Sequence, residues 1–211
     1  MIKYNYKPKE GIFFTSDTHF GHTNILKYCD RPFSSTEEMD EEIIKRWNSV
    51  VKPDNTVFHL GDFAFGTIAQ WETYRNCLNG HIHLILGNHD MHNFSNSRQR
   101  LEEMFETVQF QALIEVGNSK IYLNHYPFLT FAGIYRKNPT WQLFGHVHFK
   151  KDSKGADASR LNYCLQTQYD VGVDLNNFTP INYFDVKKKI EEQISSESNL
   201  TYWVTSDAPN K

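Results

Sequence analysis

The stretch 56-TVFHLGDFAFGTIAQWETYRNCLNGHIHLILGNHD-90 holds two β-prone runs separated by a segment of helix length. Thr56–Leu60 and Ile82–Leu86 are β-branched, aromatic and aliphatic, and each stops at a glycine beside polar residues, Gly61-Asp62 and Gly87-Asn88-His89-Asp90. Between them, Ile68 to Leu78 predicts a helix closed by Asn79-Gly80. Strand, helix, strand in this order predicts a parallel crossover unit, and so a chain of the α/β class.

The same pattern extends outward. Gly11 to Ser16 predicts a strand running into Asp17-Thr18-His19-Phe20-Gly21-His22. Ser35-Thr36-Glu37-Glu38 reads as a capping box, and Met39, Ile43, Ile44 and Trp47 at helical spacing behind it predict a helix over roughly 36–50. Further on, Arg98–Phe105 predicts a helix, and Val108–Leu113 and Lys120–Asn124 predict strands, the second leading into His125-Tyr126-Pro127. Gln142-Leu143-Phe144 leads into Gly145-His146-Val147-His148. Lys150 to Arg160 reads as a polar loop, Asp170–Asp174 as a strand and Asp185–Ile194 as a helix, before a Ser/Glu/Asn tail of about 15 residues expected to be loosely attached. No repeat or linker divides residues 1–211, so a single domain is expected.

A net charge of −3 provides no broad basic field, which argues against a protein that grips long nucleic acids. Ten histidines accompany only three widely spaced cysteines, a usage that fits a reducing cytoplasm. No apolar run reaches the length of about 20 residues needed to span a bilayer, so no membrane association is expected.

Five apolar strands thus end in knots of Asp, Asn or His. Parallel strands bring their carboxyl ends to one edge of the sheet, where α/β proteins place ligands. Imidazole, carboxylate and amide donors without thiolate suit Mn, Fe, Zn or Ni. Asp-x-His and His-x-His, read as extended backbone, aim both side chains the same way.

In order, Asp17-Thr18-His19, Gly61-Asp62, Gly87-Asn88-His89-Asp90, Asn124-His125 and Gly145-His146-Val147-His148 resemble the blocks of the calcineurin-like metallophosphoesterases. That resemblance implies a four-layer α/β/β/α sandwich of mixed sheets flanked by helices. It implies that Asp17, His19 and His148 hold one divalent metal, Asn88, His125 and His146 a second, and that Asp62 bridges both, manganese being favoured. It also implies a shared hydroxide as nucleophile, His89 as the acid at the leaving oxygen, and Asp90 as the group that orients His89.

His22 and Arg31 are further candidates for substrate contact, His22 competing with a role in helix capping and Arg31 with an ordinary salt bridge. His59 reads as packing beneath the metals. His81-x-His83 reads as structural, because His83 lies roughly 16 Å along the strand from Asn88. The aromatic segment Phe128–Pro139 and the lysines of Lys150–Lys154 are expected to rim the site. The expected activity is phosphodiester hydrolysis of small or nucleotide-type substrates, since no large accessory region is available to dock a protein. The rivals are a phosphomonoesterase or protein phosphatase, and a metal-binding module of the same fold without catalysis. A β-lactamase-like hydrolase would need a His-x-His-x-Asp-His cluster, which does not occur.

Overall fold

The computed structural model describes residues 3–8, 11–148 and 164–196, so the Lys150–Arg160 loop and the tail beyond residue 196 lie outside the described residues. In chain order the elements are β1 (Lys3–Tyr6), β2 (Ile12–Thr15), α1 (Ile25–Tyr28), α2 (Thr36–Val50), β3 (Thr56–His59), α3 (Ile68–Asn76), β4 (His81–Ile85), α4 (Met91–Met104), β5 (Thr107–Gln109), β6 (Gln111–Val116), β7 (Ser119–Asn124), β8 (Trp141–Phe144), β9 (Gln168–Asp170), β10 (Ile181–Asn182) and α5 (Tyr183–Ser195). They build two five-stranded sheets. The first has the order β10-β2-β3-β4-β5, parallel from β2 to β5 and antiparallel at β10. The second has the order β1-β6-β7-β8-β9, antiparallel only between β6 and β7. β3, α3 and β4 form the parallel crossover that the 56–90 stretch predicts.

The two sheets pack face to face. Phe14, Phe58 and Ile85 of the first meet Ile114, Ile121, Leu123 and Leu143 of the second, and α5 adds Tyr183, Val186 and Ile190 to this core. The other face of the first sheet, with Val57, Ile82 and Leu84, lies against Met39, Ile43 and Trp47 of α2, Trp71 of α3 and Leu101 of α4. Burial on both faces is why β3 and β4 read as almost continuous apolar runs rather than alternating ones. The architecture is an α/β sandwich of mixed sheets flanked by helices. No helix among the described residues is long and apolar enough to cross a membrane.

Local expectations hold where a cap and a period agree. Ser35 caps α2 by accepting the Glu38 N–H, and α2 spans Thr36–Val50. Elsewhere the structure differs. α4 begins at Met91, seven residues before Arg98, and is kinked at Ser97 (φ −145°, ψ 35°); its polar first half hides the helical period. Val108–Leu113 is two strands, since the chain leaves the first sheet after β5 and enters the second at β6, turning at Phe110. The Asp170–Asp174 run is a strand only to Asp170. Beyond it Val171 N–H donates to Phe144 in the second sheet and Val173 N–H to Ser16 beside the first, so the segment joins the sheets.

One buried carboxylate anchors the loop after β2. Asp40 of α2 accepts the Gly21 N–H with both oxygens (3.0 and 3.1 Å) and the Tyr74 hydroxyl of α3 at 2.9 Å. Burial pushes its pKa up to about 6, against those hydrogen bonds. A carboxyl raised in the folded state favours folding when protonated, so this contribution is lost as pH rises from 3.8 through about 6. Asp40→Asn should therefore gain stability relative to wild type across that window. Denaturant titrations of both proteins at several pH values check it; a difference that does not change with pH would contradict it.

Candidate metal centre

The site begins with a ladder that continues past the strands. Asp17, His19 and Phe20 donate their N–H groups to the carbonyls of Gly61, Asp62 and Phe63 at 2.9, 3.0 and 3.1 Å. The loops after β2 and β3 therefore run side by side, and Asp17 and His19 lie against Asp62. On the second sheet, Gly145 N–H donates to the His125 carbonyl at 2.9 Å, aligning the loops after β7 and β8. The two pairs meet where His146 N–H donates to both carboxylate oxygens of Asp17, at 3.1 and 2.9 Å.

The backbone at the ligand positions is not extended. Asp17 (φ 59°), His19 (51°), Asp62 (55°), His146 (72°) and His148 (46°) are left-handed, five of the eight non-glycine residues with positive φ among those described. Each such residue costs on the order of 1–3 kcal/mol, and strain of this kind persists where surrounding contacts impose it. The Asp-x-His and His-x-His pairs thus reach one side through curled loops, which corrects the extended geometry expected of them. Two glycines permit the close approach: a Cβ on Gly87 would lie 2.2 Å from Asp62 Oδ1, and one on Gly145 would lie 2.4 Å from Asp17 Oδ2.

Two sets of donors result. Ligand atoms of Asp17, His19 and His148 lie within 4.8 Å of one another, and so do those of Asp62, His125 and His146. Asp62 Oδ2 is 3.5 Å from His19 Nε2 and 3.5 Å from His125 Nε2, and Asn88 Oδ1 is 3.0 Å from His125 Nε2. The ring nitrogens that point away are held: His125 Nδ1 by the Leu60 carbonyl at 2.7 Å and His148 Nδ1 by Asp174 at 2.7 Å. Fixing one imidazole nitrogen leaves the other free to ligate. Converging carboxylate, imidazole and amide donors with fixed rings fit two hard or borderline divalent ions.

Beneath the ligands lie the groups that hold them. His59 is buried and its pKa pushed down to about 3, so it is neutral. Its Nδ1 accepts the Gly61 N–H, which leaves Nε2 to donate to Thr18 Oγ1 at 2.9 Å, and Thr18 donates to the Phe63 carbonyl. Gln142 and Gln168, both buried, hold the loop after His125: Gln142 donates to the Tyr126 carbonyl and accepts the Phe128 N–H, and Gln168 donates to the Phe128 carbonyl.

Two expected roles change. Arg31 is 4% exposed, donates to the carbonyls of Asp17 (2.7 Å) and Thr18 (3.0 Å), and clasps Asp174 with Nε and Nη2 at 2.9 Å each. Its donors face inward, so in the structure it braces the loop after β2 rather than reaching toward the site opening. Asp90 does not orient the His89 ring, because its buried carboxylate accepts the N–H groups of Asp62 (2.9 Å), Phe63 (3.0 Å) and Gly87 (2.7 Å). His89 itself is exposed at the mouth, its ring 5.2 Å from that of His19 and its backbone N–H donating to Asp62 Oδ1. His22 does not cap α1 with its side chain; its ring stacks on Phe65. His81 and His83 bond to Glu106 and Thr107 at the start of β4, the end of the strand away from Asn88.

Asp174 is the residue that sequence reasoning missed. Burial raises its pKa, but hydrogen bonds from His148 and Arg31 bring it down to about 2, a permanent carboxylate behind a ligand. Its signal was present as the acid closing the run Asp170–Asp174 that the sequence reads as a strand, without a neighbouring His to mark it.

The profile of the calcineurin-like phosphoesterase superfamily domain matches residues 11–163. The chain belongs to that superfamily. The uncharacterized protein MJ1445 of Methanocaldococcus jannaschii is 32% identical over 187 residues, covering 86% of this chain and 92% of its own. The Gene 66 protein of Mycobacterium phage L5 is 30% identical over 162 residues, covering 64% of this chain and 76% of its own. The crystal structure of AQ665 from Aquifex aeolicus, a protein of unknown function, superposes with a TM-score of 0.65 at 27% identity, covering 84% of this chain and 97% of that one. Calcineurin-like phosphoesterases typically bind divalent metals, and the two Asp/His groups are this chain's candidates for them.

Replacing Asp174 with Asn removes the charge behind His148 while keeping the volume. Such outer partners are worth roughly 10- to 100-fold in metal affinity. Titration calorimetry with Mn²⁺ should show one site weakened by that factor and the other unchanged; two unaltered sites would exclude the role.

Proposed function

We propose that the protein hydrolyses phosphodiesters of small or nucleotide-type substrates with two divalent ions, manganese favoured. The observation that carries this reading is Asp62 Oδ2, equidistant at 3.5 Å from a histidine of each donor set. One carboxylate oxygen between two such sets suits a shared ligand of a metal pair. Asp17, His19 and His148 would hold one ion, Asn88, His125 and His146 the other, and Asp62 both.

Ions at those positions would supply Lewis acidity, neutralising phosphoryl oxygens and lowering the pKa of water from about 16 toward 7. The protein's own groups do the rest. The curled loops fix the donors before substrate arrives, which lowers the reorganisation that binding requires. His89, exposed beside His19, stands at the mouth, where its ring can give a proton to the departing alkoxide. Its placement comes from the bond between its own N–H and Asp62, so the acid is registered to the bridging ligand. Diesters are favoured over dianionic monoesters because Arg31, the guanidinium adjoining the ligands, is committed to backbone carbonyls and Asp174.

Bis-p-nitrophenyl phosphate and p-nitrophenyl phosphate, each with Mn²⁺, test the reading directly. Diester turnover should dominate, disappear with chelator and be absent in Asp62→Asn; faster monoester turnover would favour the phosphatase, and full activity in Asp62→Asn would place the chemistry elsewhere. His89→Ala should keep both metals by elemental analysis and lose on the order of 100- to 10,000-fold in rate, most with poor leaving groups. Metal loss in that variant would make His89 a ligand instead.

A further inference from the structure

Resting on the phosphodiesterase reading, we infer that Phe65, backed by His22, is the seat of a nucleobase carried by the leaving group. Phe65 is 47% exposed although it sits among the ligand loops. Its ring lies parallel to that of His22, with centroids 4.3 Å apart and planes 7° apart. The pair is rigid: Phe65 N–H donates to the Phe20 carbonyl at 2.7 Å, and His22 N–H to the His19 carbonyl at 3.0 Å. His22 is only 8% exposed, and its buried Nδ1 has no hydrogen-bond partner among the described residues, so ring contact sets the orientation of its side chain.

The platform's location determines what reaches it. The His22 ring is 5.3 Å from His19 and 5.8 Å from His89, and the Phe65 ring is 6.1 Å from His89. His89 is the group assigned to protonate the departing oxygen, so the alcohol that departs lies over this stack. The other ligand set has its own aromatic border, Tyr126, 45% exposed with its ring 4.7 Å from His146. A flat, rigid, exposed ring beside the acid suits a planar heterocycle continuing the stack. In the reaction, the bond from phosphorus to the nucleoside oxygen breaks, water oxygen bonds to phosphorus, and the nucleoside leaves with a proton.

The test compares the methyl phosphodiester of adenosine at its 5′ oxygen with that of 1-O-methylribose, using Mn²⁺-loaded protein. Adenosine and methyl phosphate should be the products of the first. Phe65→Ala should lower kcat/KM about tenfold for the adenosine diester, leave the ribose diester unchanged, and be rescued by Phe65→Tyr. Equal loss on both diesters, or release of AMP and methanol, would overturn the inference. Calorimetric titration with AMP and with ribose 5-phosphate reads the stack without turnover: the variant should bind AMP about tenfold more weakly and ribose 5-phosphate as wild type does. That AMP difference in a protein inactive on every phosphate ester would overturn the phosphodiesterase reading and support the stacking site. An active enzyme whose AMP affinity ignores Phe65 would do the reverse.

Discussion

The structure depends on hydrogen bonds that outlast the strands they extend. β2 and β3 end at Thr15 and His59, yet their chains stay paired through Asp17, His19 and Phe20 on one side and Gly61, Asp62 and Phe63 on the other. That pairing occurs while the backbone is already in the left-handed region, a conformation the isolated loops would not favour. The compensation comes from below, through Arg31 on the carbonyls of Asp17 and Thr18, His59 and Thr18 bridging the two loops, and Asp90 on three amides. A polar floor of this kind holds carboxylates and imidazoles at short separation.

The candidate ligand positions were legible because donor clusters of this kind leave a local trace: a polar knot at the end of each apolar strand. Asp17, His19, Asp62, Asn88, His125, His146 and His148 all declare themselves in that way, and the structure gathers them at one edge. The bracing residues leave no such trace. Arg31 and Asp174 are 143 positions apart, and nothing in either neighbourhood announces the clasp between them. The resemblance implied that Asp90 orients the neighbouring His89, but its side chain at the helix start points back to the loop after β3.

The fold was legible to a similar degree and for a similar reason. The β3–α3–β4 crossover and α2 carry caps and periods that depend only on nearby residues. Which sheet a strand joins is a long-range matter. Val108–Leu113 has one continuous β character, and only packing divides it at Phe110 between two sheets. β1 is likewise a strand because β6 accepts it, not because Lys3–Tyr6 proclaims one.

The two sheets contribute unequal halves of the donor set. Asp17, His19, Asp62 and Asn88 follow strands of the first sheet, whereas His125, His146 and His148 follow β7 and β8 of the second. Ions held by both halves would act as rivets across the sandwich. By mass action, an ion present at a hundred times its dissociation constant adds about 2.7 kcal/mol to the folded state. Such ions would tie the cell's supply of divalent metal to the lifetime of the protein as well as to its turnover, with starvation loosening the seam between the sheets.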